Sequence, residues 1–223
     1  MHGELRVVDD VAPAFSEVVA EAWHARPGRG FSIALSGGET ARRCYEHLAT
    51  WDESPIDWMA TEVYWGDERR VPLDHPDSNY RLAAESLLQQ VAGVHALFPM
   101  RSEAGADAYQ MQLSTIGALD VVHLGLGADG HTASLFPDSP ALDADPGRLV
   151  STNDDPHGVH PHPRLTLTYA GIARGRTVVV TVAGADKASA FDAVRRGADV
   201  PAARLRAEHL VWIVDRQAAD EAD

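Results

Sequence analysis

Apolar positions along this chain follow two alternating rhythms. Short, nearly continuous apolar runs over 5–8, 31–35, 62–65, 119–126, 164–168, 177–183 and 209–214 have the length of strands. Between them, apolar residues recur at helical spacing over 12–25, 40–49, 79–91, 104–115 and 187–196. In the second of these helices Ala41, Cys44, Tyr45 and Leu48 fall at i, i+3, i+4 and i+7, which is one helix face. Strand–helix alternation predicts an α/β fold: a mostly parallel sheet with helices on both faces. In such sheets ligands gather beyond the carboxyl ends of the strands, so the residues after each run matter most for function.

The pattern weakens over 138–163, which holds five prolines and several Asp and His residues. A long loop with a short element near 148–151 is expected there, and loops of that length are usually functional. The tail from Asp215 is polar and is expected to fray. No internal repeat or low-complexity linker interrupts the chain, so residues 1–223 are read as a single α/β domain. No stretch approaches the roughly 18–20 consecutive apolar residues of a membrane span. The opening Met1-His-Gly-Glu-Leu lacks the basic and apolar regions of a secretory signal, so a cytoplasmic location is expected.

Composition narrows the chemistry. A single cysteine rules out an intramolecular disulfide and a cysteine-based zinc site. Cys44 reads either as a nucleophile or as a core residue, and its place on an apolar helix face favours the core. A net charge of −14, with no basic stripe, argues against a nucleic-acid partner. An acidic protein that handles an anion must gather its few cations locally, so individual Arg and Lys positions become informative.

The run ending at Leu126 overlaps Gly125-Leu-Gly127-Ala-Asp129-Gly130, which fits the dinucleotide fingerprint G-x-G-x-x-G. That fingerprint also needs a full helix after the glycines and a second strand ending in an acid ~20 residues on. Here Pro137 cuts any helix short, and Asp129 would repel a pyrophosphate. No dinucleotide site is therefore expected. The glycines read instead as a tight turn that delivers Asp129 and His131 to the strand's carboxyl end. His131 is expected at the start of a short helix, whose dipole favours the neutral imidazole. Asp129 then orients the ring or bonds a substrate. A polar cap is the other reading of His131.

Other strand ends add candidates. Ser36-Gly37-Gly38-Glu39-Thr40 offers backbone N–H groups to an anion at a helix start, and Ser36 with Glu39 also fits a capping box. In Gly66-Asp67-Glu68-Arg69-Arg70 the arginines are either surface partners of the two acids or a clamp for an oxyanion or phosphate. Ser78 is a plausible N-cap for the next helix. Lys187, after Gly184-Ala-Asp186, opposes a helix dipole unless Asp186 or a bound phosphate compensates. Arg164 is a third candidate cation. His157, His160 and His162 form H-x-x-H-x-H, read here as solvent-exposed histidines rather than a metal site.

Together, "LSGGET", "WGDERRVPLDHPDSNY", "HLGLGADGHTASLFP", "PRLTLT" and "VAGADK" resemble the 6-phosphogluconolactonases, which group with the glucosamine-6-phosphate isomerases/deaminases. The block "DGHTASLFP" is more similar to the lactonase branch than to the deaminases' "DGHIAFNEP". The resemblance implies a Rossmann-like α/β fold without a dinucleotide. With the fingerprint broken and cysteine ligands missing, no metal or other cofactor is expected. It implies hydrolysis of 6-phospho-D-glucono-1,5-lactone to 6-phosphogluconate, the second step of the oxidative pentose phosphate pathway. The expected partner is a small phosphosugar lactone, with no nucleic acid and no membrane, on a monomer or weak homodimer.

Carried over by motif, His131 looks like the general base and Arg69 like the family's active-site arginine. Asp129 matches the acid of the family's GxDGH pattern. Gly37, Gly38, Thr40, Arg164 and Lys187 match positions lining the sugar-phosphate pocket. Two departures stand out. Glu39-Thr40-Ala41 replaces the family's common Ser-Thr-Pro, and the stretch 154–162 is unusually rich in histidine.

Overall fold

Six of the predicted strands lie side by side in the computed structural model, which describes residues 1–219. They are β1 (Glu4–Val8), β2 (Phe31–Leu35), β3 (Thr61–Trp65), β6 (Leu119–Gly125), β9 (Gly175–Val182) and β10 (His209–Asp215). A two-residue strand, β5 (Ala96–Leu97), completes the far edge and is too short to leave a periodic signal. The order is β1-β10-β9-β6-β2-β3-β5, and every neighbouring pair is parallel. Parallel pairing requires crossovers. The main ones carry α1 (Val11–Ala25), α2 (Glu39–Thr50), α4 (Gly105–Ser114) and α6 (Ala188–Arg196).

Successive strand residues point to opposite faces, so consecutive burial means both faces are covered. Leu119 to Leu124 are all buried, including Asp120 and His123. β10 is buried from Leu210 to Val214. The predicted face of α2 is borne out, with Ala41, Cys44, Tyr45 and Leu48 all buried. Burial pushes the Cys44 thiol up to about 12, which removes the thiolate and the nucleophile reading with it. Among the described residues no helix is long and apolar enough to cross a membrane.

Three expectations need correction. The run over 164–168 forms β8 (Arg164–Leu167), outside the parallel sheet. It pairs antiparallel with β4 (Asp67–Arg69) and β7 (Val150–Asn153) in a second, three-stranded sheet. The two sheets meet at Gly66, whose N–H donates to Leu35 O at 2.8 Å while its carbonyl accepts from Leu167 N–H at 2.8 Å. Apolar periodicity identifies a strand but not its partner. The helix expected over 79–91 is α3 (Asn79–Ala83), widening into a π-helical turn at Ala84–Leu88. The short element expected near 148–151 is present as β7. The tail does not fray at Asp215: Ala218 and Ala219 are buried, and the Asp215 carboxylate accepts the Ala218 N–H at 2.7 Å. Residues 220–223 lie outside the described residues.

Candidate active site

Loops leaving the carboxyl ends of β2, β3, β6 and β9 converge on one cleft of about 850 Å³. Gly37, Gly38, Thr40, Arg69, His131, Arg164 and Lys187 all line it, so residues far apart in the chain come together as the motifs required. Asp129 is absent from the lining. It stands behind His131.

The loop after β6 is built by its own hydrogen bonds. Gly127 N–H donates to His131 O at 2.8 Å, Gly130 N–H to Gly127 O at 3.0 Å, and the Thr132 hydroxyl to Gly125 O at 2.9 Å. Asp129 Oδ1 accepts the His131 backbone N–H at 3.1 Å and lies 2.6 Å from His131 Nδ1. Burial disfavours the Asp129 carboxylate, but the His131 hydrogen bond and the nearby imidazoles win and hold it well below the usual carboxylate range. An ionised carboxylate only accepts, so Nδ1 carries a proton, and in the neutral ring the lone pair lies on Nε2. The short helix expected after His131 is not formed; a tight Thr132–Leu135 bridge stands there, with Ala133 at φ 47°. No helix dipole acts on the ring, and Asp129 alone sets its tautomer.

Asp67 and Glu68 are not surface partners of the arginines. Both are buried. Glu68 accepts the backbone N–H groups of Arg69 (2.7 Å), Asn79 (2.7 Å) and Tyr80 (2.8 Å) and the Ser78 hydroxyl (3.0 Å). Burial raises its pKa above the ordinary value, against the pull of those backbone donors. The acid therefore ties β4 to the start of α3. Ser78 caps that helix as expected, accepting from Arg81 N–H at 3.2 Å. Asp67 accepts from the Ser134 hydroxyl at 2.6 Å and from Asn79 Nδ2 at 3.2 Å, which joins the β3 and β6 loops beneath the cleft.

Arg69 and Arg164 are direct partners across the β4–β8 ladder. Like charges placed opposite each other destabilise a sheet unless something neutralises them. Arg164 is 5% exposed, and its Nη1 donates to Pro161 O at 2.6 Å and His162 O at 3.0 Å. Burial lowers its guanidinium pKa from the ordinary value; Asp67 opposes this and Arg69 adds to it. Arg69 Nη1 donates to Asp77 O at 2.6 Å. Neither guanidinium forms an ion pair among the described residues, and both line the cleft. Arg70 is exposed and lies off the cleft.

The β2 loop is a second anion-facing wall. The capping box is not formed: Gly38, at φ 93°, is the N-cap of α2, and no side chain caps it. The first backbone N–H groups of the helix are left without intrahelical partners beside Thr40. Glu39 turns to Arg42 at 3.7 Å and stays largely in solvent. A Cβ on Gly37 would overlap the Asn79 amide, so only glycine lets this loop close on α3. From below, Ser36 N–H donates to Tyr45 Oη at 2.7 Å, Tyr45 Oη lies 2.9 Å from His123 Nδ1, and His123 Nε2 lies 2.9 Å from Thr181 Oγ1. Burial pushes His123 down to about 3, so this strut is neutral.

Lys187 ends a single 3₁₀ turn, Ala185–Lys187, just before α6, and its Nζ lies 3.2 Å from Asp186. The three histidines of H-x-x-H-x-H separate. His157 faces Asp138 and His162 faces Asp77. His160, expected in solvent, instead lines the cleft, its ring stacked on Phe136 and its Nε2 3.4 Å from Asp129 Oδ2. Sequence reasoning missed His160, Asn79 and the Asp67–Ser134 link, because each depends on contacts between loops distant in the chain.

The family model described as glucosamine-6-phosphate isomerases/6-phosphogluconolactonase matches residues 4–212. A 6-phosphogluconolactonase of Synechocystis sp. is 40% identical, over 88% of this chain and 86% of its own length. The solved 6-phosphogluconolactonase of Trypanosoma cruzi superposes with a TM-score of 0.85 at 26% identity, covering 98% of this chain and 96% of its own. That of Thermotoga maritima gives 0.83 at 26% identity, covering 95% and 99%.

Proposed function

This chain belongs to the glucosamine-6-phosphate isomerase/6-phosphogluconolactonase family, and from that premise we propose how its cleft works. It hydrolyses 6-phospho-D-glucono-1,5-lactone to 6-phosphogluconate, the second step of the oxidative pentose phosphate pathway. The observation that carries the catalytic reading is the Asp129–His131 pair, 2.6 Å apart, opening onto the cleft that Arg69, Arg164 and Lys187 also line.

The lactone carbonyl is already electrophilic, so no covalent intermediate is required. His131 Nε2 removes a proton from water as its oxygen bonds to the carbonyl carbon. Asp129 keeps Nδ1 protonated and stabilises the imidazolium that forms. The opened carbonyl oxygen carries the charge, and a cleft arginine holds it, Arg69 being our assignment. Collapse breaks the bond from that carbon to the ring oxygen. Imidazolium returns its proton to the leaving oxygen, and the product acid then ionises. Lys187, Thr40 and the backbone at Gly37 and Gly38 hold the remote phosphate, whose binding energy fixes the lactone's orientation. Arg164 lies across the ladder from Arg69 and adds a second positive charge to that wall.

The reading is tested with freshly generated lactone, its spontaneous hydrolysis subtracted, and in parallel with glucosamine 6-phosphate. Fast lactone opening without ammonia release is expected. Ammonia release without lactone opening would move the chain to the other branch of the family.

A further inference from the structure

Asp129, His131 and His160 each offer one ligand atom, and these atoms lie within 4.8 Å of one another. We propose that this cluster is an inhibitory site for a borderline transition dication, with Zn²⁺ as the representative ion. Tetrahedral zinc with bonds of about 2.0–2.1 Å sets its donors roughly 3.3–3.5 Å apart. His160 Nε2 and Asp129 Oδ2 already stand at 3.4 Å. Two imidazoles and one carboxylate suit zinc, copper or nickel better than magnesium or calcium, which prefer oxygen donors throughout.

His160 is held for the task by its surroundings. Its ring stacks on Phe136 at 5.1 Å between centroids, 16° from parallel. Its turn is pinned by Asp155 Oδ2, which accepts the N–H groups of Val159 and His160, both at 2.9 Å. His131 approaches the same space, its centroid 4.6 Å from that of His160. Asp129, with one oxygen toward each ring, is the shared ligand.

The inhibition follows from the imidazole's single proton. An ion seated against Asp129 takes His131 Nδ1, and the ring proton moves from Nδ1 to Nε2. Nε2 then has no lone pair with which to accept a proton from water. The ion also places positive charge where an imidazolium must form. Binding of the ion stands on geometry alone; the inhibition rests on the general-base role of His131.

The test is titration of the metal-free protein with zinc chloride, read by calorimetry and by competition with a chromophoric chelator. Saturable uptake of one Zn²⁺ per chain is expected. His160→Phe keeps the ring stack but removes the donor, and its zinc affinity falls at least about tenfold. His157→Ala, at the exposed end of the same loop, keeps wild-type affinity. Lactone hydrolysis stops in parallel with occupancy and returns on chelation. Circular dichroism establishes that each variant is folded. No saturable uptake below about 1 mM, or equal affinity in folded His160→Phe, overturns the site. Uptake without loss of hydrolysis leaves the ion site standing and overturns its inhibitory role.

Discussion

Replacing Gly127 with alanine separates the purpose of this glycine from that of its neighbours. The backbone at Gly127 is not in the left-handed region, so alanine adds no conformational strain there. Its Cβ, however, would overlap His131 Nδ1 and Cε1 and fall 2.6 Å from Asp129 Oδ1. Ordinary contact begins near 3.4 Å, so the carboxylate alone must retreat by about 0.8 Å and the imidazole by more. Phe136 and His160 crowd the ring from its other sides, so it cannot retreat without leaving its place. A displacement of about 1 Å costs on the order of 10²-fold in rate, and full loss of a positioned base roughly 10²–10⁴-fold. Steady-state lactone hydrolysis by Gly127→Ala should thus show kcat down by at least about 10²-fold, with KM little changed. Gly125→Ala is the control, because a Cβ there meets nothing within 4 Å. Native turnover in Gly127→Ala, or an equal loss in Gly125→Ala, would refute the claim that this loop exists to seat His131.

Two further outcomes follow from other parts of the cleft. Lys187→Ala should weaken the phosphosugar lactone by about 1.5–3 kcal/mol, read as KM, and affect an unphosphorylated lactone much less; equal losses for both would remove Lys187 as the phosphate anchor. His123 is held at about 3 against an ordinary 6.5, so below pH 6.5 the unfolded chain takes up a proton that the folded one refuses. Its neutral burial therefore supports stability fully above pH 6.5 and loses about 1.4 kcal/mol for each pH unit below it, down to about 3. Urea unfolding of wild type and His123→Gln at several pH values should show a shallower acid slope in the variant.

Much of this architecture was legible from periodicity, because strands buried on both faces read as continuous apolar runs and α2 shows its core face plainly. The antiparallel sheet was not legible, since nothing in "PRLTLT" states that its partners are Asp67–Arg69 and Val150–Asn153. The seven cleft-lining residues carried from the motifs do share one cleft, five of them from segments after strands of the parallel sheet and Arg69 and Arg164 from paired strands of the second sheet. The local chemistry was harder to read. Asp67 and Glu68 look like surface charges in sequence, and only the fold reveals that Glu68 is enclosed by backbone donors. The sequence pattern suggests a helix dipole acting on His131, but no helix forms there, and Asp129 instead orients the ring through a contact two residues away. His160 gives no signal in sequence, because a histidine in a proline-rich acidic loop carries no sign of what it stacks on.

The role of His131 as general base is decided by single-turnover hydrolysis of freshly generated 6-phosphogluconolactone by wild type and His131→Asn. The variant's fold and phosphosugar affinity are checked independently, since Leu135 and Phe136 keep the segment buried without the imidazole. The chemical step is expected to slow by roughly 10²–10⁴-fold with the phosphosugar still bound. A folded His131→Asn protein that opens the lactone at the wild-type rate would contradict that role.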